Sequence, residues 1–187
     1  MKLILLDRDG VINYDSDKFV KNVDEFEMLP GSIEGIANLT QAGFKVVICT
    51  NQSGIGRGLF TMEDLNEMHE KLHQLVDQAG GSIDAITFCP HTPEDNCNCR
   101  KPKAGMILDI YERFNVDNTS EVMMIGDSIR DLEAITNAGG IPVLVKTGNG
   151  KKTLAKGVPD GTLVFDNLLS ASEYILEQQQ KDAVYEE

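Results

Sequence analysis

The sequence predicts an α/β fold with a doubly wound, mainly parallel sheet and helices on both faces. Short apolar runs rich in Ile, Val and Leu alternate with segments whose apolar residues recur at helical spacing. Each run is long enough for a buried strand, and each intervening segment is long enough for the helical crossover that joins two parallel strands. The predicted strands are residues 2–6, 45–50, 83–88, 122–125, 142–145 and, more weakly, 162–165.

The predicted helices lie between these strands, at residues 32–42, 61–78, 104–114, 128–138 and 167–177. In the second helix, Leu65, Met68 and Leu72 belong to an apolar stripe at helical spacing. Thr61 is the expected N-cap of this helix, because Asp64 follows it at the spacing of a capping box.

The length of 187 residues favours a single domain with its own core. We expect that domain to span residues 1–178 and residues 179–187 to form a polar, frayed tail. The N-terminal apolar run is too short for a secretory signal, and no apolar stretch approaches the roughly 20 residues of a membrane span. We therefore expect a soluble, cytoplasmic protein that acts as a monomer. Its net charge of -13 disfavours nucleic acid and anionic membranes as partners.

A pair of carboxylates follows the first predicted strand, where the run LILL passes into DRDG. Ligands bind at the carboxyl ends of strands in open α/β sheets. Because side chains alternate along an extended segment, Asp7 and Asp9 point to the same side. A calcium-binding EF-hand loop is excluded, since Val11 occupies the place of the third oxygen ligand and no Glu stands at the twelfth place.

Residues capable of chemistry follow three further predicted strands. Thr50 begins a Gly-containing turn whose N–H groups could receive phosphate oxygens. Lys101 follows a cysteine-rich segment, and Asp127 and Asp131 lie four residues apart on one helical face. Taken singly, each has an ordinary explanation as a strand-end cap, a surface charge or a helix N-terminal acid. Together they converge on one edge of the sheet, which favours a catalytic site.

These four segments resemble, in order and at similar spacing over essentially the whole chain, the motifs of the haloacid dehalogenase superfamily of phosphotransferases. The resemblance implies a Rossmann-like fold and a covalent mechanism. Asp7 would attack phosphorus to give an aspartyl-phosphate, and Asp9 would protonate the leaving alkoxide and later activate water. Lys101 and the Thr50 hydroxyl would stabilise the transferring phosphoryl group.

The same resemblance implies a catalytic Mg²⁺. Its ligands would be Asp7, Asp127 and the backbone carbonyl of Asp9. Asp131 would orient a metal-bound water or Lys101. An acidic protein would in this way supply local positive charge to a phosphate ester.

The segment CPHTPEDNCNC gathers three cysteines and a histidine: Cys89, His91, Cys97 and Cys99. Three thiolates and one imidazole suit tetrahedral zinc, and four protein ligands leave no open position, so we expect a structural metal. The spacing differs from the C-x₂-C pairs of zinc fingers, which leaves free thiols as the alternative. A zinc-stapled loop would hold Arg100 and Lys101, which follow at once, at the mouth of the active site.

The remaining cysteine and the other two histidines suit structural roles. Cys49 lies inside the apolar run VVICT and is expected to be a small core residue. His69 and His73 are four residues apart on a predicted helix, but no further ligand completes a metal site. We expect both histidines on a solvated helix surface.

The intervals between the motifs leave no room for a cap domain, so loops are expected to grip the substrate. The combination of LDRDGVIN, TNQSGIGRG, CPH with CNCRKP, and GDS is similar to the capless, zinc-loop members of the superfamily that remove the 7-phosphate of a heptose 1,7-bisphosphate in lipopolysaccharide or S-layer precursor synthesis. The substrate contacts that this implies are Asp15, Ser16, Asp17, Lys18, Thr50, Asn51, Gln52, Ser53, Arg57, Arg100 and Lys101.

Two alternatives stay open at this point. Histidinol phosphate suits the same capless fold and zinc loop, but its cationic amine and imidazole call for acids where a bisphosphate calls for arginines. Arg57 and Arg100 therefore favour the sugar, whose second phosphate must be bound without reacting. A non-catalytic phosphosugar-binding protein is the alternative of another class, and the presence of both Asp7 and Asp9 favours an enzyme. The sequence does not choose between the sugar anomers.

Overall fold

The structure is a computed structural model that describes the backbone of residues 1–185 and the side chains of residues 1–181. Its strands are β1 (Leu3–Leu6), β2 (Lys45–Asn51), β3 (Ala85–Cys89), β4 (Met123–Gly126), β5 (Ile141–Val145) and β6 (Leu163–Phe165). They form one six-stranded parallel sheet in the order β3-β2-β1-β4-β5-β6. The strand order reverses between β1 and β4, and such a reversal opens a crevice at the carboxyl ends of the strands.

Helices cover both faces of this sheet. They are α1 (Ser32–Gln41), α2 (Ser53–Gly56), α3 (Met62–Gln78), α4 (Gly105–Arg113), α5 (Ile129–Asn137), α6 (Gly150–Lys156) and α7 (Leu168–Tyr185). Short 3-10 turns lie at Pro93–Asp95 and Thr119–Glu121. None of the helices in the described part of the chain is both long and apolar enough to cross a membrane.

The alternation of side chains along β1 divides the core into two clusters. Ile4 and Leu6 pack on the side of α1, α3 and α7, whereas Leu3 and Leu5 pack on the side of α4 and α5. All four side chains are at most 2% exposed. The first strand is thus buried on both faces, as the continuous apolar run predicts.

The predicted fold class is confirmed, and the predicted strands and helices are present with ends that agree within two residues, apart from the end of α7. The short helices α2 and α6 were not predicted, because pieces of one or two turns have no apolar period that stands out in a sequence. In the described residues, the loops at the carboxyl edge of the sheet contain short helical pieces, namely α2, α6 and the 3-10 turn Pro93–Asp95.

The predicted end of α7, at about Glu177, is wrong. The helix continues to Tyr185, through most of the stretch expected to be a frayed tail. Its Gln, Lys and Ala residues have high helix propensity, and the Gln179 side chain donates to the carbonyl of Ala42 beyond the end of α1. Residues 186 and 187 of the expected tail lie outside the described residues.

The expected capping box opens α3. The N–H of Asp64 donates to Thr61 Oγ1 at 3.1 Å, and the N–H of Thr61 donates to the Asp64 carboxylate at 2.7 Å. We expect T61A to lower the free energy of unfolding by about 1 kcal/mol, because the Asp64 N–H in the first turn loses its acceptor, the Thr61 hydroxyl. Urea denaturation measures the change. Glu67→Ala, at an exposed site on the same helix, is the control, and an equal loss in both variants would contradict the prediction.

Candidate active site

A cavity of about 400 Å³ lies at the carboxyl edge of the sheet, next to the reversal of strand order. Asp7 follows β1 directly, Asn51 ends β2, and Asp127 follows β4. Because β1 pairs with both β2 and β4, these residues reach one place. The side chains that line the cavity are those of Asp7, Asp9, Asp15, Ser16, Phe19, Val20, Asn51, Gln52, Ser53, Arg57, Pro93, Arg100, Lys101, Asp127, Ser128, Arg130, Asp131 and Asn149.

The Lys101 ammonium lies at the base of this site and is 2% exposed. Its Nζ is 2.9 Å from Asp7 Oδ1 and 2.6 Å from Asp131 Oδ1, and it donates to the carbonyl of Cys49 at 2.6 Å. Burial alone would lower the pKa of Lys101, but Asp131 and Asp7 raise it above the ordinary value. The lysine is therefore a permanent cation with all three donors engaged.

Asn51 holds the backbone of Lys101 in place from the end of β2. Its Nδ2 donates to the Lys101 carbonyl at 3.0 Å, and its Oδ1 accepts the Lys101 N–H at 3.1 Å. This reciprocal pair joins the loop after the cysteine cluster to the sheet. The predicted substrate contact Asn51 thus also positions the lysine.

Three carboxylates lie close together at this site, and Lys101 pairs with two of them, Asp7 and Asp131. One oxygen from each of Asp7, Asp127 and Asp131 lies within 4.8 Å of the others. Burial, reinforced by the charge of Asp131, raises the pKa of Asp7 to about 7 although Lys101 opposes the change. Burial, reinforced by Asp7 and Asp131, raises the pKa of Asp127 to about 8. The cluster is short of positive charge and offers hard oxygen donors, so it fits Mg²⁺.

The structure distinguishes the roles of these acids. Both carboxylate oxygens of Asp131 already have partners. One pairs with Lys101, and the other accepts the N–H of Ser128 in the capping box of α5. Asp7 and Asp127 are the side chains that would hold Mg²⁺. Asp127 is packed so closely against Gly10, which has a positive φ, that a Cβ at Gly10 would collide with its carboxylate. Glycine is needed at this turn for both reasons.

Asp9 has surroundings opposite to those of Asp7. Its Oδ1 accepts from Arg8 and Asn13, and its Oδ2 accepts from Gln52 Nε2 at 2.7 Å. Burial raises the pKa of Asp9, but the charge of Arg8 and these hydrogen bonds outweigh it and lower the pKa below the ordinary value. The two neighbouring carboxylates therefore have pKa values displaced in opposite directions, which indicates different chemical roles.

The predicted substrate contacts divide into two groups. Those that line the cavity are Asp15, Ser16, Asn51, Gln52, Ser53, Arg57, Arg100 and Lys101. Asp17 and Lys18 are exposed outside it, and Asp17 borders a neighbouring depression that also contains Thr147. Thr50 is 1% exposed, does not line the cavity, and places its hydroxyl 3.0 Å from Gln52 Nε2.

Asn149 and Arg130 are among the cavity residues that the sequence reasoning missed. Asn149 follows the end of β5, and its N–H donates to Asp127 Oδ2 at 2.7 Å while its side chain reaches Asp15. The rule that ligands lie after strand ends could have found it. Arg130, in the first turn of α5, was missed because one exposed arginine on a helix has no distinguishing pattern.

Arg130 joins Arg57 and Arg100 in lining the cavity. The pKa of Arg100 is lowered by burial and then by the charges of Arg130 and Arg57, which shows that the guanidinium groups repel one another. Among the side chains of residues 1–181, none of the three forms an ion pair. A concentration of unpaired positive charge in a chain of net charge -13 indicates an anion site.

The cysteine cluster has the dimensions of a zinc site. The Sγ atoms of Cys89, Cys97 and Cys99 are 3.2 to 3.6 Å apart, and His91 Nδ1 is 3.5 and 3.3 Å from the sulfurs of Cys89 and Cys99. Bonds of about 2.3 Å from a tetrahedral zinc place sulfurs about 3.7 Å apart. The four groups therefore fit a structural zinc. Arg100 Nη1 donates to the His91 carbonyl at 3.3 Å, which links the cluster to the cavity.

The expectation for His69 is wrong. It is 8% exposed, and its Nε2 lies 3.2 Å from Arg8 Nη1, whereas His73 is half-buried on the same helix. Arg8 was not considered in the sequence reasoning, although its place in the alternation of β1 directs it to the side of α3. The expectation that Cys49 is a core residue is confirmed, since it is fully buried.

Comparison with known proteins places the chain among phosphatases. Residues 5–139 match the family model of the haloacid dehalogenase-like hydrolases. A relative from Neisseria meningitidis serogroup A, named D-glycero-beta-D-manno-heptose-1,7-bisphosphate 7-phosphatase, is 59% identical over 95% of this chain and 96% of its own length. A relative of the same name from Pseudomonas putida is 48% identical over 94% of this chain and 100% of its own length.

Solved structures agree with the sequence relatives. A crystal structure of D,D-heptose 1.7-bisphosphate phosphatase from B. bronchiseptica, complexed with magnesium and phosphate, has a TM-score of 0.93. It is 54% identical, and the match covers 95% of this chain and 99% of that one. The D,D-heptose 1,7-bisphosphate phosphatase of Burkholderia thailandensis gives a TM-score of 0.75 at 46% identity, over 94% of this chain and 99% of that one.

The raised pKa values of Asp7 and Asp127 predict that Mg²⁺ binding strengthens with pH. Below about 7 and about 8 these carboxyls hold protons that a cation must displace. In the metal-free protein, the same shifts make stability fall as the pH rises from about 4 to about 8, because the folded state retains protons that the unfolded chain has released. Apparent Mg²⁺ affinity should be at least about tenfold higher at pH 8 than at pH 6.

The rise of the thermal midpoint with Mg²⁺ concentration, followed at both pH values, measures this affinity. Asp127→Asn is the matched control, and it should lose most of the Mg²⁺ effect. Equal affinity of the unaltered protein at the two pH values would show that these carboxyls are not the ligands.

The cysteine cluster predicts about one bound zinc per chain. We expect Cys97→Ser, or removal of zinc by a strong chelator, to lower the thermal midpoint by roughly 5 °C or more, because the loop loses the metal that closes it. Elemental analysis and calorimetry measure the two quantities. Cys49→Ala, outside the cluster, is the control and should retain the zinc. A protein that contains no zinc and whose thermal midpoint does not change with the chelator would contradict the assignment.

Proposed function

The chain belongs to the haloacid dehalogenase-like hydrolase family, and we propose that it is a Mg²⁺-dependent phosphatase that removes the 7-phosphate of D-glycero-β-D-manno-heptose 1,7-bisphosphate. Relatives at 59% and 48% identity with this name, matched over almost their entire lengths, support the substrate and its β anomer. One observation carries the proposal: a single cavity contains the Asp7–Lys101 centre, where a phosphate can react, and a group of arginines, where a second phosphate can be held.

Asp7 is the nucleophile in this proposal. Both hydrogen bonds to its carboxylate, from the Arg8 N–H at 2.8 Å and from Lys101 Nζ at 2.9 Å, reach Oδ1. Oδ2 is left for attack on phosphorus. As the Oδ2–P bond forms, the bond from phosphorus to the sugar oxygen breaks, and the product is an aspartyl-phosphate.

Asp9 is the acid and then the base. The low pKa leaves Asp9 ionised in the free protein, so it must take up a proton from solvent as substrate binds, which the negative charge of the bound phosphate favours. That proton then passes to the departing sugar oxygen, and the resulting carboxylate takes a proton from the water that hydrolyses the aspartyl-phosphate. Gln52, bonded to Asp9 Oδ2 and to Thr50 Oγ1, connects this acid to the end of β2. Thr50 is buried behind Gln52, so it would act on the phosphoryl group through the Gln52 amide rather than by direct contact.

Positive charge in the site stabilises the transferring phosphoryl group. Bound Mg²⁺, held by Asp7, Asp127 and the backbone carbonyl of Asp9, supplies electrostatic stabilisation of the phosphoryl oxygens. Lys101 adds a fixed ammonium whose position is set by Asp131 and Asn51. Because these groups are in place before substrate arrives, little reorganisation is needed in the transition state.

Arg57, Arg100 and Arg130 are proposed to hold the phosphate that does not react. Guanidinium groups bind phosphate in a bidentate manner and remain charged. The cationic amine and imidazole of histidinol phosphate would meet repulsion from the same groups, so histidinol phosphate is the second candidate. We further propose that the reaction serves lipopolysaccharide or S-layer precursor synthesis. Cytoplasmic location and the monomeric state stay predictions.

Phosphate release in the presence of Mg²⁺ tests the substrate. We expect kcat/KM for the β anomer of the heptose bisphosphate to exceed that for histidinol phosphate and simple sugar monophosphates by about 100-fold, which corresponds to about 2.7 kcal/mol of transition-state discrimination. The physical reason is the second phosphate, which only the bisphosphates present to the arginines. The α anomer, assayed beside the β anomer, shows whether the sugar itself is discriminated.

Asp7→Asn is the matched control for this assay. The amide is nearly isosteric with the carboxylate and cannot attack phosphorus, so turnover should be lost while the far-ultraviolet circular dichroism is retained. A variant that keeps activity within about tenfold would remove Asp7 as nucleophile. A preference of the unaltered protein for histidinol phosphate would replace the proposed substrate and leave the mechanism in place.

A further inference from the structure

The most deeply buried charge next to the cavity belongs to Arg8, the residue between the two catalytic aspartates. Its side chain is 0% exposed. Side chains alternate along β1 and its extension, so Arg8 follows Ile4 and Leu6 to the side of α3. Burying a guanidinium is costly unless each of its donors finds a partner.

Two of the donor nitrogens of Arg8 form hydrogen bonds with one oxygen of Asp9. Arg8 Nη2 and Nε donate to Asp9 Oδ1 at 2.9 and 3.2 Å. Asn13 Nδ2 donates to the same oxygen at 2.8 Å. Oδ1 is thereby saturated, whereas the hydrogen bond recorded for Oδ2 is the one from Gln52. The carboxylate is held in one rotational position, which leaves Oδ2 as the atom that can exchange a proton.

The other hydrogen-bonding partner of Arg8 is His69 on α3. Nη1 of Arg8 lies 3.2 Å from Nε2 of His69, and the guanidinium stacks over the Phe26 ring at 5.0 Å from its centroid. Since arginine only donates, Nε2 must be the acceptor, which requires a neutral imidazole with its proton on Nδ1. Burial and the charge of Arg8 lower the pKa of His69 to about 3, so the imidazole stays neutral at any working pH.

We infer that His69, through Arg8, is a positioning residue for the proton-transferring carboxylate of Asp9. The imidazole fixes the far end of the guanidinium, the guanidinium fixes Oδ1, and the proton is transferred at Oδ2. His69 does not line the cavity, so it acts without touching the substrate. The inference rests on the proposed role of Asp9 as general acid and does not depend on the identity of the sugar.

A misplaced general acid has a specific consequence. An alkoxide is a poor leaving group and needs the proton, whereas p-nitrophenolate departs without one. Loss of positioning should therefore reduce kcat/KM, which reports the steps up to formation of the aspartyl-phosphate, much more for an alkyl phosphate than for p-nitrophenyl phosphate. A purely structural role of His69 would reduce both rates alike.

His69→Leu removes the acceptor at similar volume. We expect its kcat/KM for an alkyl phosphate that the unaltered enzyme hydrolyses to fall by about 30-fold, and its kcat/KM for p-nitrophenyl phosphate by less than about threefold. His69→Gln, whose side-chain oxygen can accept from Arg8, should recover most of the loss. His73→Gln, one turn along the same helix, is the matched control and should leave both rates unchanged.

Equal losses on the two phosphates, or a rate of His69→Leu equal to that of the unaltered enzyme, would overturn the inference. Should His69→Leu fail to fold, His69→Met presents an apolar side chain that adapts to its surroundings and repeats the test. The outcome is separable from the proposed function, because the comparison uses any alkyl phosphate that is turned over. If the enzyme failed to hydrolyse heptose bisphosphate but hydrolysed another alkyl phosphate, the proposed substrate would be contradicted and the inference about His69 would not.

Discussion

The ion pairs of one buried lysine hold the candidate active site together. Lys101 joins Asp7 and Asp131 at 2.9 and 2.6 Å, and without it three carboxylates would repel one another at the edge of the sheet. Removing one partner of such a buried group leaves the other charges uncompensated, which is typically more costly than the pair is stabilising. The lysine in turn depends on its loop. Asn51 binds the backbone of Lys101, and the cysteine cluster closes the segment that precedes it.

The two aspartates after β1 are neighbours with opposite electrostatic surroundings. Asp7 faces other acids and one lysine, so its pKa rises to about 7 and a divalent cation would restore its charge. Asp9 faces a buried arginine and neutral donors, so its pKa falls. Side-chain alternation makes this difference possible, because Arg8 points to the opposite side of the strand and approaches Asp9 from within the core. One short segment thus holds two carboxylates in different electrostatic surroundings, as the proposed roles of nucleophile and proton carrier require.

Sequence reasoning predicted the fold class, the order of elements and the convergence of strand-end residues, because apolar period and strand-end position are local properties. It did not predict what depends on tertiary neighbours. His69 was expected in solvent, since a helical pattern does not show that a buried arginine, Arg8, lies opposite it after β1. Thr50 was expected to face substrate, but Gln52 lies against its hydroxyl. Arg130 lines the cavity through helix geometry that no motif encodes, whereas Asn149 follows a strand end and was overlooked.

The central claim is that the Asp7 carboxylate carries the phosphoryl group. Rapid acid quenching of the enzyme during turnover, followed by mass spectrometry of its peptides, tests this directly. With p-nitrophenyl phosphate, whose leaving group needs no acid, Asp9→Asn should make the intermediate accumulate because its hydrolysis lacks a base. We predict the added mass of one phosphoryl group on the peptide that contains Asp7 and on no other. Phosphate release without a phosphorylated peptide, or phosphorylation at another residue, would contradict the account.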